Sequence, residues 1–184
     1  MCIRDSYKGI SHLIEAHKCR RIGFVSGAMT SDDAMQRLDT YRKCLRDHGI
    51  TYQEGRVVYG NFTEYSQEIV RDLMRRNPDL DAVVFANDMM AIGGYKVFRE
   101  MGLRVGRDIS VMGFDNSACA LTLEPNLSTV NADPMQLGYQ AVMNYQDILS
   151  GKVHDVTVES SPIYRESCGC CLLYTSDAAD DMQC

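Results

Sequence analysis

Between residues 21 and 116 the chain alternates short, unbroken apolar runs with stretches whose apolar positions recur every three or four residues. The runs are RIGFVSG (residues 21–27), RVVYG (56–60), DAVVFAND (81–88) and DISVMGFDN (108–116). Apolar runs of this length without polar alternation predict strands buried on both faces. The stretches between them predict helices. Residues 31–48 place Ala34, Leu38, Tyr41 and Leu45 on one stripe, with Asp32 and Asp33 in the first turn and Gly49 just past the end, as the helix dipole and the left-handed C-terminal position favour. A second helix is expected from Thr63, its N-cap, to Arg76, with Ile69, Val70, Leu73 and Met74 inward and Pro78 beyond. A third is expected over residues 88–101, with Ala91, Tyr95 and Phe98 on its stripe. Strand and helix in strict alternation predict an α/β fold, a parallel, doubly wound (Rossmann-like) sheet with right-handed crossovers and helices on both faces.

That block, residues 19–124, reads as a complete lobe. Its flanks read differently. ISHLIEAHK (residues 10–18) predicts a helix without strands of its own. Beyond Pro125 the pattern predicts a strand at 127–130, then an amphipathic helix at 135–150 with Leu137, Ala141, Tyr145 and Ile148 or Leu149 inward. Two β segments, 156–158 and 163–165, follow.

Composition narrows the function classes. The chain has 184 residues, 45% of them hydrophobic, which is enough for a real core. Nineteen Lys and Arg against 25 Asp and Glu give a net charge of -6, so nothing in the balance favours a polyanion as direct ligand. No apolar run approaches the roughly 18 residues that span a bilayer, and no membrane partner is expected.

Eight cysteines would ordinarily raise the question of disulfides or a metal site. The termini change that reading. MCIRDS can be encoded by DNA whose opposite strand translates to Cys-Leu-Leu-Tyr-Thr, the sequence found at residues 171–175. The two ends therefore read as one element resembling a sequencing-library transposon adapter, and residues 1–6 and 171–184 are set aside as adapter artefact. The remainder carries 18 basic and 21 acidic residues, a charge of -3. The natural identity of Cys170 depends on a base shared with the adapter. The CGCC cluster is accordingly not taken as a metal motif, and Cys19, Cys44 and Cys119 read as reduced, small hydrophobes. His12, His17, His48 and His154 show no zinc-ligand spacing, so no metal is expected.

In an open parallel sheet, ligands sit beyond the carboxyl ends of the strands, where helix N-termini converge. Asn87 follows the strand DAVVF through Ala86, Asp115 follows SVMGF, and Arg37 lies early in the helix after the first strand. A guanidinium, an amide and a carboxylate supply donors, a two-way group and an acceptor, a set suited to vicinal hydroxyls. Each residue also has a plain structural reading: Asn87 as a helix cap, Asp115 in a turn, Arg37 paired with Asp33. No GxSxG, HExxH, Walker or GxGxxG pattern occurs, and neither catalysis nor a cofactor is expected.

The segments HLIEAHKCRRIGFVSG, AMQRLDTYRKCLRDHGI, DAVVFANDMMAIGGYKVFREMGLRVGRDISVMGFDN and EPNLSTVNADPMQLGYQAV resemble the effector-binding domain of LacI/GalR transcription regulators. Those regulators share the fold of periplasmic sugar-binding proteins. The chain departs from their common pattern at Lys18-Cys19, where Gly-His is usual, and at Thr40, where Gly is usual. By motif match, the resemblance implies that Arg37, Asn87 and Asp115 contact a sugar or similar small-molecule effector. It further implies a two-lobe, periplasmic-binding-protein-like fold with the other lobe mostly missing. In that fold residues 7–18 would be the last helix of the first lobe, 19–124 the second lobe, 125–153 a returning segment and 154–170 the C-terminal strands. Residues 10–18 and 127–150 would then expose apolar stripes. DNA would be contacted only through an N-terminal domain outside this sequence, in a cytoplasmic homodimer. Two other outputs fit the same domain: a periplasmic sugar-binding protein of a transporter, and a sensor joined to a diguanylate cyclase, toward which RESCGC points.

Overall fold

The computed structural model describes residues 3–152, 158 and 160–170. The apolar runs become strands β1 (Ile22–Ser26), β2 (Val57–Tyr59), β3 (Ala82–Phe85) and β4 (Ser110–Phe114), joined at one side by β5 (Ser128–Asn131) and β6 (Ser161–Ile163). They form one sheet in the order β2-β1-β3-β4-β5-β6. All neighbours are parallel except β5 and β6. Every residue of β1 and β3 is buried, which is why these segments carry no polar alternation.

The helices are α1 (Ile3–Glu15), α2 (Asp32–Asp47), α3 (Gln67–Arg76), α4 (Asp88–Glu100), α5 (Pro134–Met143) and α6 (Tyr145–Leu149). Alternate residues of β1 serve the two faces. Phe24 stacks on Tyr41 of α2 at 4.9 Å, while a side chain at Gly23 would meet Leu73 of α3. On that second face Phe85 meets Phe98 of α4 edge-on. The sheet is thus covered by α1 and α2 on one side and α3 and α4 on the other, as the doubly wound expectation requires.

Four expectations are corrected. The helix expected from Thr63 begins at Gln67, because Ser66, not Thr63, precedes it, and its hydroxyl ties the two helices together by donating to Met90 O of α4 at 2.6 Å. The helix expected over 135–150 is two helices broken at Asn144, and the last β segment lies at Ser161–Ile163 rather than 163–165. The segment expected at 156–158 lies outside the described residues apart from Val158. Finally, α1 does not expose an apolar stripe. Ile10, Leu13 and Ile14 are buried, and Gly9 lies so close to Met112 of β4 that an added Cβ would sit 2.5 Å from its sulfur. The stripe of α1 is therefore packed against this sheet.

The expectation for α5 and α6 stands in the other direction. Met135, Val142 and Leu149 are 83%, 75% and 70% exposed, and no residue of either helix is buried. Among the described residues, no helix is long and apolar enough to cross a membrane.

Candidate functional site

The strand order reverses direction between β1 and β3, the first connection running outward to β2 and the next returning past β1. At such a switch point the loops leaving adjacent strands part in opposite directions and leave a crevice at the carboxyl ends. Arg37 lies in that region, held 8% exposed by α2. Its guanidinium donates to Ala86 O at the end of β3 and, through Nη2, to Asp115 Oδ1 at 3.4 Å beyond β4. Its central carbon stands 3.8 Å from the centroid of the Phe114 ring, so the cation is braced by an aromatic face as well as by acceptors. The sequence-level alternative of an Arg37–Asp33 pair is replaced by Arg37–Asp115.

Asp115 occupies φ 102° and Asn116 φ 51°. Two successive left-handed residues turn the chain sharply as it leaves β4, presenting the Asp115 side chain beside Arg37 with 40% of its surface open. Burial pushes the Asp115 carboxyl up to about 6; Arg37 opposes that rise, and the carboxylates of Asp88 and Asp33 add to it. Burial also lowers the Arg37 pKa, against the pull of Asp115.

Asn87 is the N-cap of α4: its Oδ1 accepts from Met90 N at 3.1 Å. Its Nδ2 donates to Phe62 O at 3.2 Å, which fastens the loop after β2 across the end of β3. The plain reading of Asn87 as a cap is therefore correct, and the same residue lies at the carboxyl end of β3.

Asp88 follows Asn87 after the same strand, a place from which the sequence alone assigns it no site role. It is 1% exposed, and it accepts from Thr129 Oγ1 at 2.7 Å, Ser117 N at 2.8 Å and Ser117 Oγ at 3.2 Å. One carboxylate so joins α4, β5 and the loop that bears Asp115. It fits because residue 113 is glycine; a Cβ there would stand 2.2 Å from Asp88 Oδ1. Arg165 completes the support by donating to Asn116 Oδ1 at 2.8 Å and Leu127 O at 2.6 Å. Its place after the strand DAVVF and in the first turn of a helix is visible in sequence, but its partners Thr129 and Ser117 are not.

Away from the crevice lies a second cluster of polar side chains. His12, His17, Cys168 and Cys170 place one ligand atom each so that all four lie within 4.8 Å of one another. The sequence shows no zinc-ligand spacing among the histidines because local spacing cannot reveal partners more than 150 residues away.

Comparison with known proteins agrees with this architecture. A family model described as a periplasmic binding protein-like domain matches residues 10–168. The regulator CelR of Thermobifida fusca is 33% identical over 152 residues, 80% of this chain and 45% of CelR. The regulator AscG of Escherichia coli is 37% identical over 128 residues, 69% of this chain and 38% of AscG. Both are described as HTH-type transcriptional regulators, not enzymes, and the chain spans less than half of either. Among solved structures, the CelR–cellobiose complex superposes with a TM-score of 0.78 at 30% identity, covering 90% of this chain and 50% of the other. A lac repressor dimer bound to operator and an anti-inducer superposes with a TM-score of 0.83 at 25% identity, with the same coverages.

Proposed function

Because the chain belongs to the periplasmic binding protein-like domain family, in the form carried by LacI-type regulators, we propose that it is the effector-binding domain of a transcription regulator. Its effector is a sugar or similar polyol. The observation that carries this reading is the Arg37–Asp115 pair at the switch point, a part-buried donor fork beside an accessible acceptor. Each ligand hydroxyl can accept from one and donate to the other, and Asn87 lies at the carboxyl end of β3. Hydrogen bonds to charged groups are worth about 1.5 to 3 kcal/mol each, so two or three suffice for micromolar affinity. The cellobiose complex of CelR supports a sugar as the ligand class.

DNA contact belongs to a helix-turn-helix domain outside this sequence, and the regulator works as a cytoplasmic homodimer. The HTH-type relatives favour that output over a cyclase or a transporter. Binding regulates only if it favours one global state over another, typically by about 1 to 3 kcal/mol of coupling. The test is release of operator DNA by the full-length regulator, followed by fluorescence anisotropy against a panel of mono- and disaccharides. One sugar should shift the wild-type curve, and Asp115→Asn should keep DNA affinity while losing the shift. A shift of equal size in the variant, or none from any sugar in the wild type, refutes the assignment.

A further inference from the structure

The cluster at the far end of α1 from the crevice is built like a metal site. His12 lies in the last turns of α1, and the chain leaves the helix through Ala16 to bring His17 back beside it, the two rings edge-on at 4.9 Å. The other half comes from the end of the described chain. A short 3-10 turn, Glu166–Cys168, leads through Gly169 to Cys170. Gly169 has φ 101°, and a Cβ there would stand 3.1 Å from Gly106 O and 3.2 Å from His17 Nδ1. Only glycine passes so close beneath the imidazole in that conformation, and the turn it makes aims both thiols of the Cys-Gly-Cys toward the same two rings.

Four of the six ligand-to-ligand separations lie close to the edges of a coordination polyhedron. His12 Nε2 and His17 Nε2 are 3.1 Å apart; Cys170 Sγ lies 3.0 Å from the first and 3.3 Å from the second; Cys168 Sγ lies 3.9 Å from His12 Nε2. A tetrahedral zinc ion with its usual bonds to nitrogen and sulfur requires ligand-to-ligand edges of about 3.3 to 3.8 Å. Both halves are held independently of any ion. His12 stacks on Tyr164 at 3.8 Å. Ser167 Oγ donates to Val111 O at 2.7 Å and accepts from Ser128 N at 2.7 Å, while Cys168 O accepts from Ser110 Oγ at 3.1 Å. Two imidazoles and two thiols on rigid supports are the donor set of a closed, structural zinc site.

We propose that His12, His17, Cys168 and Cys170 bind one zinc ion in a tetrahedral site that clasps the segment after β6 onto α1. Both thiols give up their protons to solvent as the two zinc–sulfur bonds form. The clasp joins residues 158 positions apart at its extremes, and the folded chain gains stability as free zinc rises above its dissociation constant.

Cobalt titration of the reduced, chelator-stripped chain, carrying no affinity tag of histidines, is the test. One equivalent of cobalt should give the intense visible bands of four-coordinate cobalt with thiolate charge transfer, zinc should bleach them, and zinc should raise Tm. Cys168 is fully buried, so its substitution risks the fold. The half-buried His17→Ala and Cys170→Ser, checked as folded by circular dichroism, should each lower affinity on the order of a hundredfold or more. Cys171→Ser and His48→Ala should change nothing. A weak six-coordinate spectrum, bands that survive in His17→Ala or Cys170→Ser, or bands lost in Cys171→Ser would each overturn the assigned ligands.

Discussion

Asp115 stands between opposed influences: burial and neighbouring carboxylates hold its proton on, and Arg37 draws it off. Its folded value of about 6 lies above the 3.8 of an unperturbed aspartate. The folded chain therefore binds more protons than the unfolded one between those values, and stability falls as pH rises through that window. Effector affinity runs the other way. A ligand hydroxyl that donates to Asp115 needs the carboxylate, so affinity should rise as pH passes upward through about 6 and level off above it. Asp115→Asn should flatten that profile, and an unchanged profile in the variant would remove Asp115 from the site. Asp88 predicts a different outcome because it is buried and bonded to Thr129 and Ser117. Asp88→Asn presents an amide N–H to a donor that the carboxylate accepted, and it should cost about 1 to 3 kcal/mol in denaturant unfolding. Arg37, Asn87 and Asp115 were candidates in sequence because topology puts residues after β3 and β4 at the carboxyl end of the sheet, where Arg37 meets Asp115 and Asn87 caps α4. Asp88, Arg165 and the His-Cys cluster were not, since each depends on partners brought in from distant parts of the chain.

Among the elements, α1 is the instructive case. Its apolar stripe was plain in ISHLIEAHK, but a stripe states that a helix is covered and not by which sheet. The structure covers it with β4 and β5. Leu13→Ala should thus cost about 2 to 5 kcal/mol, the range for a fully buried leucine; a change under about 0.5 kcal/mol would return α1 to an exposed position. The four central strands were legible for the opposite reason, as burial on both faces leaves a run that no helix of five residues could use. β6 has three residues, too few for a pattern. On α5 and α6 the exposed Met135, Val142 and Leu149 form an apolar surface of the kind that drives association. Sedimentation of the chain should show concentration-dependent association, reduced by the paired substitutions Val142→Asp and Leu149→Asp. A monomer at all concentrations would contradict it.

At the scale of the molecule, the sheet order places the reversal between β1 and β3, and α2 and α4 begin there with Ser31 and Asn87 as caps. The local choices of residue and the global topology point to one end of the sheet. The central claim is that a sugar-like effector is held there by Arg37, Asn87 and Asp115. Calorimetric titration of the full-length regulator with its responsive sugar, in wild type, Arg37→Ala and Asp115→Asn, tests it most directly. The account predicts one site per chain and a loss of affinity of about tenfold or more in each variant, equivalent to at least one hydrogen bond to a charged group. Unchanged affinity in both folded variants would contradict it.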